Sequence, residues 1–179
     1  MIEIKSTHIF NCCADDYLNS SLNENYPDYL VNNEDQMLEC NIEKTDKNDN
    51  MIFQEKNCII KIYLPSFITK IVGNKSFKVK ETSYTDFDNK TKKIIIESKL
   101  FSMLKSNMET MYLFEDMDNN RCKKTTIIKY RSSFPLLKKK IEEYSVDRIR
   151  KQNESNNEIS KKWINFWKEN YKSRSVGLT

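Results

Sequence analysis

The sequence predicts an α+β fold in which a curved antiparallel sheet of about seven strands is crossed by one long C-terminal helix. Three observations predict it. Apolar and polar residues alternate in seven stretches. Short polar turns join the later strands in consecutive pairs, which makes the sheet antiparallel. Residues 135–171 read as a single helix, roughly 55 Å long at 1.5 Å per residue and longer than core packing alone requires.

The composition indicates one domain. The chain has 179 residues with only two Gly and three Pro, so no flexible linker divides it. Its net charge of +4 is compatible with anionic partners but far from the dense basic patch of a nucleic-acid binder. No apolar run reaches the 18 residues of a transmembrane helix. The first residues lack the pattern of a signal peptide or an Arg-rich presequence.

The cysteines and the histidine argue against a zinc site. None of the five Cys forms a CxxC pair, and there is a single His. The odd, scattered set indicates reduced thiols, and it leaves a disulfide open.

The first half of the chain begins with a strand and a short helix. Residues 3–10 alternate as a strand, and residues 14–25 form a helix with acidic residues near its positive end. Tyr26-Pro27 should end that helix, because the residue before a proline avoids the helical region.

A hairpin and an apolar connection follow. Residues 36–44 and 51–63 are two strands joined by a polar turn at 46–50. Residues 64–73 then carry five large apolar side chains, and Gly73 can stop a short helix there. This segment is either a helix buried on the sheet, or it is a mobile cover over a cavity or a patch that touches a membrane.

Four more strands are predicted before the long helix: residues 76–87, 91–102, 107–117 and 121–134. Polar turns at 88–90 and 118–120 join them in pairs.

The long helix should begin at Pro135, which fits the first helical position. Steps of three and four place one stripe on its inner face: Leu137, Ile141, Tyr144, Arg148, Gln152, Ser155, Ile159, Trp163 and Phe166. The stripe is apolar at both ends and polar in the middle. Because burying an unpaired charge is costly, either the middle is exposed or broken near residues 153–157, or it faces a polar cavity.

Several short strings, in this order, resemble one family. They are Lys-Ser-Thr-His-Ile-Phe at residues 5–10, Tyr26-Pro27, Leu64-Pro65 leading to Gly73, and Ile-Glu-Glu-Tyr-Ser at residues 141–145. The chain thereby resembles the PRELI/MSF1 domain family, whose yeast members are the Ups proteins. The resemblance covers residues 1–172 and leaves 173–179 as a C-terminal tail.

The resemblance implies a START-like helix-grip fold with a lid helix and a non-enzymatic role. It implies transport of an anionic phospholipid, phosphatidic acid or phosphatidylserine, as cargo across the mitochondrial intermembrane space. It further implies transient contact with membrane surfaces and a small helical partner with twin Cx9C motifs, and it requires no cofactor. Members often reach that space without a cleaved presequence, which agrees with this N-terminus.

The family's head-group positions fall on residues that are only partly basic here: Arg148, Gln152, Ser155, Asn25 and Lys61. Arg148 would grip phosphate as a two-pronged donor. Ser155 and Asn25 replace basic residues, which would favour phosphatidylserine or a neutral lipid unless another Lys compensates. Lys56 lies further back than the family's basic cluster. The lid residues expected to contact the membrane are Leu64, Pro65, Phe67, Ile68, Ile71 and Val72.

Two rival functions follow from the same fold. An enzyme such as a cyclase or hydrolase would need a convergent acid/base set, and the sequence shows none, with His8 as its single histidine. A lipid-binding or scaffold module would keep the fold without transferring lipid.

Overall fold

The computed structural model describes residues 1–73, 76–134 and 138–172. Over these residues the chain forms seven strands and five helices. In chain order they are β1 (Ile2–Phe10), α1 (Ala14–Leu22), α2 (Tyr26–Asn33), β2 (Met37–Asn48), β3 (Met51–Lys61), α3 (Ser66–Val72), β4 (Ser76–Asp86), β5 (Thr91–Ser98), α4 (Lys99–Met103), β6 (Ser106–Met117), β7 (Arg121–Ser132) and α5 (Lys138–Asn170).

All seven strands form one antiparallel sheet in the order β1-β7-β6-β5-β4-β3-β2. Because β1 and β2 are its two edges, the α1–α2 connection has to pass from one edge to the other. The helix α5 packs on β1, β7, α1 and α2. The predicted fold class, a seven-stranded sheet gripped by a long C-terminal helix, is confirmed.

The second helix, α2, is absent from the sequence-based prediction. Tyr26-Pro27 was expected to end a helix, but it opens one, and Pro27 occupies its first turn. A proline is accommodated there because the first helical N–H groups have no partner within the helix. The preceding helix α1 ends earlier than predicted, at Leu22.

Two strand boundaries were also wrong. The strand β2 continues to Asn48, so the predicted turn shrinks to residues 49–50, with Asp49 at a φ of 48°. A register shift interrupts β2 between Ile42 and Lys44. The strand β5 ends at Ser98, whose Oγ accepts a hydrogen bond from the Phe101 backbone N–H and so begins α4.

The predicted short helix at residues 64–73 is confirmed as α3, and it lies on the core. Gly73 ends it with a φ of 71°, in the left-handed region that glycine tolerates. Ile68 and Val72 are buried against α4 and Ile141, whereas Leu64 and Phe67 are half-buried. The side chain of Ile71 lies outside the described residues.

The helix α5 runs without a break, but its inner face differs from the predicted stripe. Ser155 and Phe166 are exposed. The buried positions are Ile141, Asn153, Asn157, Ile159, Ser160, Trp163, Ile164 and Trp167. The predicted start at Pro135 and the first stripe residue, Leu137, lie outside the described residues. The predicted stripe is wrong at Ser155 and Phe166 because steps of three and four can be combined in several ways. The polar middle of the helix contains no apolar residue that would indicate which combination faces inward.

Two of the five cysteines are paired, contrary to the expectation of reduced thiols. Cys40 and Cys58 stand directly opposite each other on β2 and β3, with a Cα–Cα distance of 4.0 Å, and form a disulfide. Eighteen residues separate them in sequence, and the hairpin brings them together. Cys12, Cys13 and Cys122 are free. Among the described helices, none combines the length and apolarity needed to cross a membrane.

Candidate functional site: a lid-covered basic cavity

A cavity of about 320 Å³ lies between the concave face of the sheet and the helices. This volume falls in the range of small-molecule sites. Towards α3 and α4 its walls are apolar, and they include Ile60, Ile62, Leu64, Ile68, Leu100 and Leu104. Most of these side chains belong to the cluster in which α3 covers the sheet. This half of the cavity suits a hydrocarbon ligand.

The opposite half of the cavity is basic. Lys56 on β3, Lys92 on β5 and Lys124 on β7 all point inward, and their exposed fractions are only 4%, 4% and 2%. We call these three residues the lysine cluster. They share one face because they occupy inward positions of the alternating strands. Three buried lysines in one cavity are unusual, since lysine is almost never fully buried without a partner.

Hydroxyl groups surround two of these ammonium groups. The Nζ of Lys92 donates to Ser21 Oγ at 3.0 Å, and the Nζ of Lys124 donates to Tyr17 Oη at 2.9 Å. Tyr17 in turn donates to Ser160 Oγ at 3.3 Å. Both α1 and α5 therefore supply polar groups to the closed end of the cavity.

Positive charge exceeds negative charge in this cavity. Its lining contains four cationic side chains, the lysine cluster and Arg148, against two carboxylates, Glu34 and Glu81. Glu81 lies 3.5 Å from Lys56. Burial lowers the pKa of Lys92 to about 7, with a further contribution from the nearby Lys56. Burial likewise lowers the pKa of Lys124 to about 7. An anion entering this end would meet groups that are ready to take up protons.

A set of hydrogen bonds that we call the clasp lies along the mouth of the cavity. Tyr144 Oη donates to the backbone carbonyl of Tyr63 at 2.7 Å, and Arg148 Nη1 reaches the same carbonyl at 3.4 Å. Arg148 Nη2 also donates to Gln36 Oε1. Since Tyr63 immediately precedes the segment that leads into α3, the clasp ties α5 to the base of the lid.

One further pair extends the clasp. Gln152 Nε2 donates to Glu34 Oε1 at 2.6 Å. Burial raises the pKa of Glu34, and this hydrogen bond partly opposes the shift. Glu34 and Gln36 belong to the connection between α2 and β2. The polar middle of α5 thus faces polar groups of that connection. Of the two alternatives that the sequence left open, Arg148 and Gln152 fit the polar cavity, whereas Ser155 is exposed.

The family follows from a sequence comparison. The model of the PRELI-like family matches residues 24–170. The chain belongs to the PRELI-like family. A search of curated proteins finds no match.

Solved structures resemble this PRELI-like chain in fold. A START superfamily protein from Mycobacterium smegmatis aligns with a TM-score of 0.58 and 10% identity, over 91% of this chain and 97% of the other. The Zhui aromatase/cyclase from Streptomyces sp. R1128 aligns with a TM-score of 0.63 and 8% identity, over 95% and 96%. A norcoclaurine synthase from Thalictrum flavum aligns with a TM-score of 0.61 and 11% identity, over 93% of this chain and 96% of the other. At these identities the likeness shows the START-like fold alone, and family and fold together indicate lipid binding.

The structure separates the five head-group residues expected in a PRELI-like domain. Arg148 and Gln152 line the cavity mouth, where both belong to the clasp. Ser155 is exposed in a surface cleft outside the mouth. Asn25 precedes α2 and donates to Asn23 Oδ1 at 3.3 Å. Lys61 lies 5.3 Å from the ring centre of Tyr63.

Neither Asn25 nor Lys61 is among the described residues that line the cavity. Sequence reasoning missed Lys92 and Lys124, and it set Lys56 aside. A weak signal for Lys92 existed, because it shares strand parity with Ile94 and Ile96. The described residues contain no group of His, Cys, Asp or Glu suited to a metal ion.

The clasp makes a prediction about lid opening. Tyr144→Phe removes one hydrogen bond to the Tyr63 carbonyl, which is worth about 1 kcal/mol, and we expect faster amide exchange across residues 62–73 by about fivefold. Hydrogen exchange followed by mass spectrometry measures this. Tyr84→Phe, on the exposed side of β4, is the matched control. Equal exchange in both variants would show that the clasp does not hold the lid.

Proposed function

We propose that this chain is an intermembrane phospholipid transfer protein that carries an anionic phospholipid, phosphatidic acid or phosphatidylserine, in its cavity. The observation that carries this proposal is a lid-covered cavity that is apolar at one end and has an excess of cationic side chains at the other. A phospholipid has the same division between acyl chains and an anionic head. Membership of the PRELI-like family supports the proposal.

Lid movement would give the cargo its path. The α3 segment carries the expected membrane-contact residues Leu64, Pro65 and Phe67, which are half-buried in the closed state. Tyr63 beside them is 64% exposed. A few apolar side chains of this kind, each worth about 1.5–3 kcal/mol when fully buried, allow reversible docking. Ile68 and Val72 pack on the core, so they would reach a membrane only if α3 lifts.

The proposed setting is the mitochondrial intermembrane space, with a small twin Cx9C protein as partner. Both follow from the family resemblance. We propose a carrier rather than an enzyme, although two of the structurally similar proteins are an aromatase/cyclase and a norcoclaurine synthase. The support is again the family, because a shared fold at this identity does not transfer an activity.

Two measurements test the proposal. Lipid extracted from the purified protein is identified by mass spectrometry, and transfer is followed between donor vesicles with fluorescent phosphatidic acid or phosphatidylserine and acceptor vesicles. We expect an anionic phospholipid to copurify and to be transferred faster than phosphatidylcholine. Bound lipid without transfer would favour the lipid-binding or scaffold module. Absence of both would overturn the proposal.

A charge reversal at the mouth provides a matched variant pair. Arg148→Glu places a carboxylate at the cavity mouth and should slow transfer of anionic lipid about tenfold, which corresponds to roughly 1.4 kcal/mol. Arg150→Glu makes the same change at an exposed position of α5 and should leave transfer unchanged. Equal slowing by both would assign the effect to the surface charge of the helix rather than to the cavity.

A further inference from the structure

The closed end of the cavity holds two buried lysine side chains that make no ion pair within the described part of the chain. Lys92 and Lys124 are 4% and 2% exposed, and in the described part of the chain their polar partners are hydroxyls, Ser21 and Tyr17. The one carboxylate nearby, Glu81, is closest to Lys56. Hydroxyl oxygens can accept from an ammonium group but do not neutralise it.

Such an arrangement costs stability. Desolvating an unpaired ammonium group is expensive, and apolar residues of similar volume would pack in the same space at lower free energy. Three aromatic rings lie 4.7–5.2 Å from Lys124 Nζ, those of Phe10, Tyr17 and Tyr112. They offer cation–π attraction, but they also exclude water. The closed end is therefore built for an anion that arrives from outside.

The surroundings specify the charge and position of that anion. Glu81 pairs with Lys56, so Lys92 and Lys124 remain to bind an anion. Two protonated lysines match a phosphate monoester, which carries a charge of about −1.5 to −2 near neutral pH. Ser21 and Tyr17 place hydroxyls beside the two lysine amino groups, and Ser160 bonds to Tyr17, which suits an acceptor-rich phosphate. The apolar walls lie on the other side, towards α3 and α4.

We propose that Lys92 and Lys124, supported by Lys56, form the phosphate site of the cargo, and that a lipid phosphate monoester binds head-first at the closed end with its acyl chains towards the lid. This inference rests on the proposed lipid-carrier function and deepens it. It assigns the head group to β3, β5 and β7 instead of the α5 positions expected from the sequence. Arg148 then acts at the mouth, in the clasp, while the lysine cluster selects the cargo.

The test compares inward and outward lysines of the same strands. Lys92→Met and Lys124→Met keep side-chain length and remove charge. Lys93→Met and Lys123→Met are the controls, because these neighbours make ion pairs with Glu109 and Glu115 at the outer surface. Each lipid-free protein is incubated with vesicles of phosphatidylcholine containing phosphatidic acid or phosphatidylserine, separated, and its bound lipid quantified. Melting temperatures of the lipid-free proteins are measured in parallel.

We expect each inward variant to bind at least tenfold less phosphatidic acid than the wild type and to melt at a higher temperature. The outward variants should bind as the wild type does. The wild type should prefer phosphatidic acid, a phosphate monoester, to phosphatidylserine, a diester. The rise in melting temperature is a readout that a purely structural role would move in the opposite direction. Lys92→Gln and Lys124→Gln replace any Met variant that does not fold.

The outcomes separate this site from the proposed function. If both inward variants transfer lipid at the wild-type rate, the proposed site is overturned and the carrier function is unaffected. Phosphatidic acid that binds through the two lysines without being transferred would support the site and overturn transfer. Inorganic phosphate and glycerol 3-phosphate are added separately. If the protein binds inorganic phosphate or glycerol 3-phosphate but takes up no lipid, the site serves free phosphate compounds. That result would overturn the lipid assignment.

Discussion

Replacing Trp163 with alanine is expected to lower the free energy of unfolding by about 3–5 kcal/mol. Trp163 is 1% exposed, and its indole Nε1 donates to the backbone carbonyl of Ser20 at 2.8 Å. The rings of Tyr26 and Tyr29 lie 5.3 and 4.9 Å from it. The substitution therefore leaves a cavity at the point where α5 meets α1 and α2. It also removes the shorter of the two hydrogen bonds to the Ser20 carbonyl, which keeps the one from the Asn23 N–H at 3.3 Å.

Chemical denaturation measures this loss. Because a domain of this kind has a total stability of only about 5–15 kcal/mol, the variant should unfold at a much lower denaturant concentration. Phe166→Ala is the control, since Phe166 belongs to the same aromatic cluster but is 41% exposed. A similar loss in both variants would show that the cluster contributes through surface contacts rather than through the buried indole.

Raising the pH from 7 to 8.5 is expected to stabilise the lipid-free protein. Burial lowers the pKa of Lys92 and of Lys124 to about 7, whereas an unfolded lysine titrates near 10.4. Between these values the unfolded chain binds more protons than the folded one, so the free energy of unfolding rises with pH. Below pH 7 both states are protonated at these groups and their contribution to the slope disappears.

Thermal melts at a series of pH values test this expectation. The rise should be lost in a Lys92→Met, Lys124→Met double variant and retained in a Lys93→Met, Lys123→Met variant. The window stops at 8.5 because a hydrogen bond to Cys122 and burial raise the pKa of Cys12, and burial raises the pKa of Cys13. These thiols oppose the rise once unfolded cysteines ionise near 8.5. A wild-type melting temperature that falls between pH 7 and 8.5 would contradict the pKa assignment.

The sheet was readable from the sequence because its signals are local. Polar turns such as residues 88–90 stand between alternating runs, and each hairpin places its strands next to each other in both sequence and space. The missed helices also have local causes. Pro27 signals a helix end as well as a helix start, and the apolar pair Leu100-Phe101 fits a strand as well as the turn of α4.

The site was less predictable because it depends on register between distant strands. Lys124 follows another lysine and precedes Ile127-Ile128, so alternation does not reveal which face of β7 is inward. Its proximity to Lys92 arises only through the pairing of β5 with β6 and of β6 with β7. Arg148 lies at the cavity, but its partners Gln36 and Tyr63 come from loops whose positions no periodicity encodes.

The position of β2 at the end of the sheet bears on self-association. An open edge strand offers unpaired backbone groups to which another chain can add. Here the edge carries Lys44, Asp46 and Lys47, and the register shift after Ile42 distorts its hydrogen-bonding row. A second molecule approaching along this edge would meet charge and a mismatched ladder, which disfavours fibril-like stacking through β2 at high concentration.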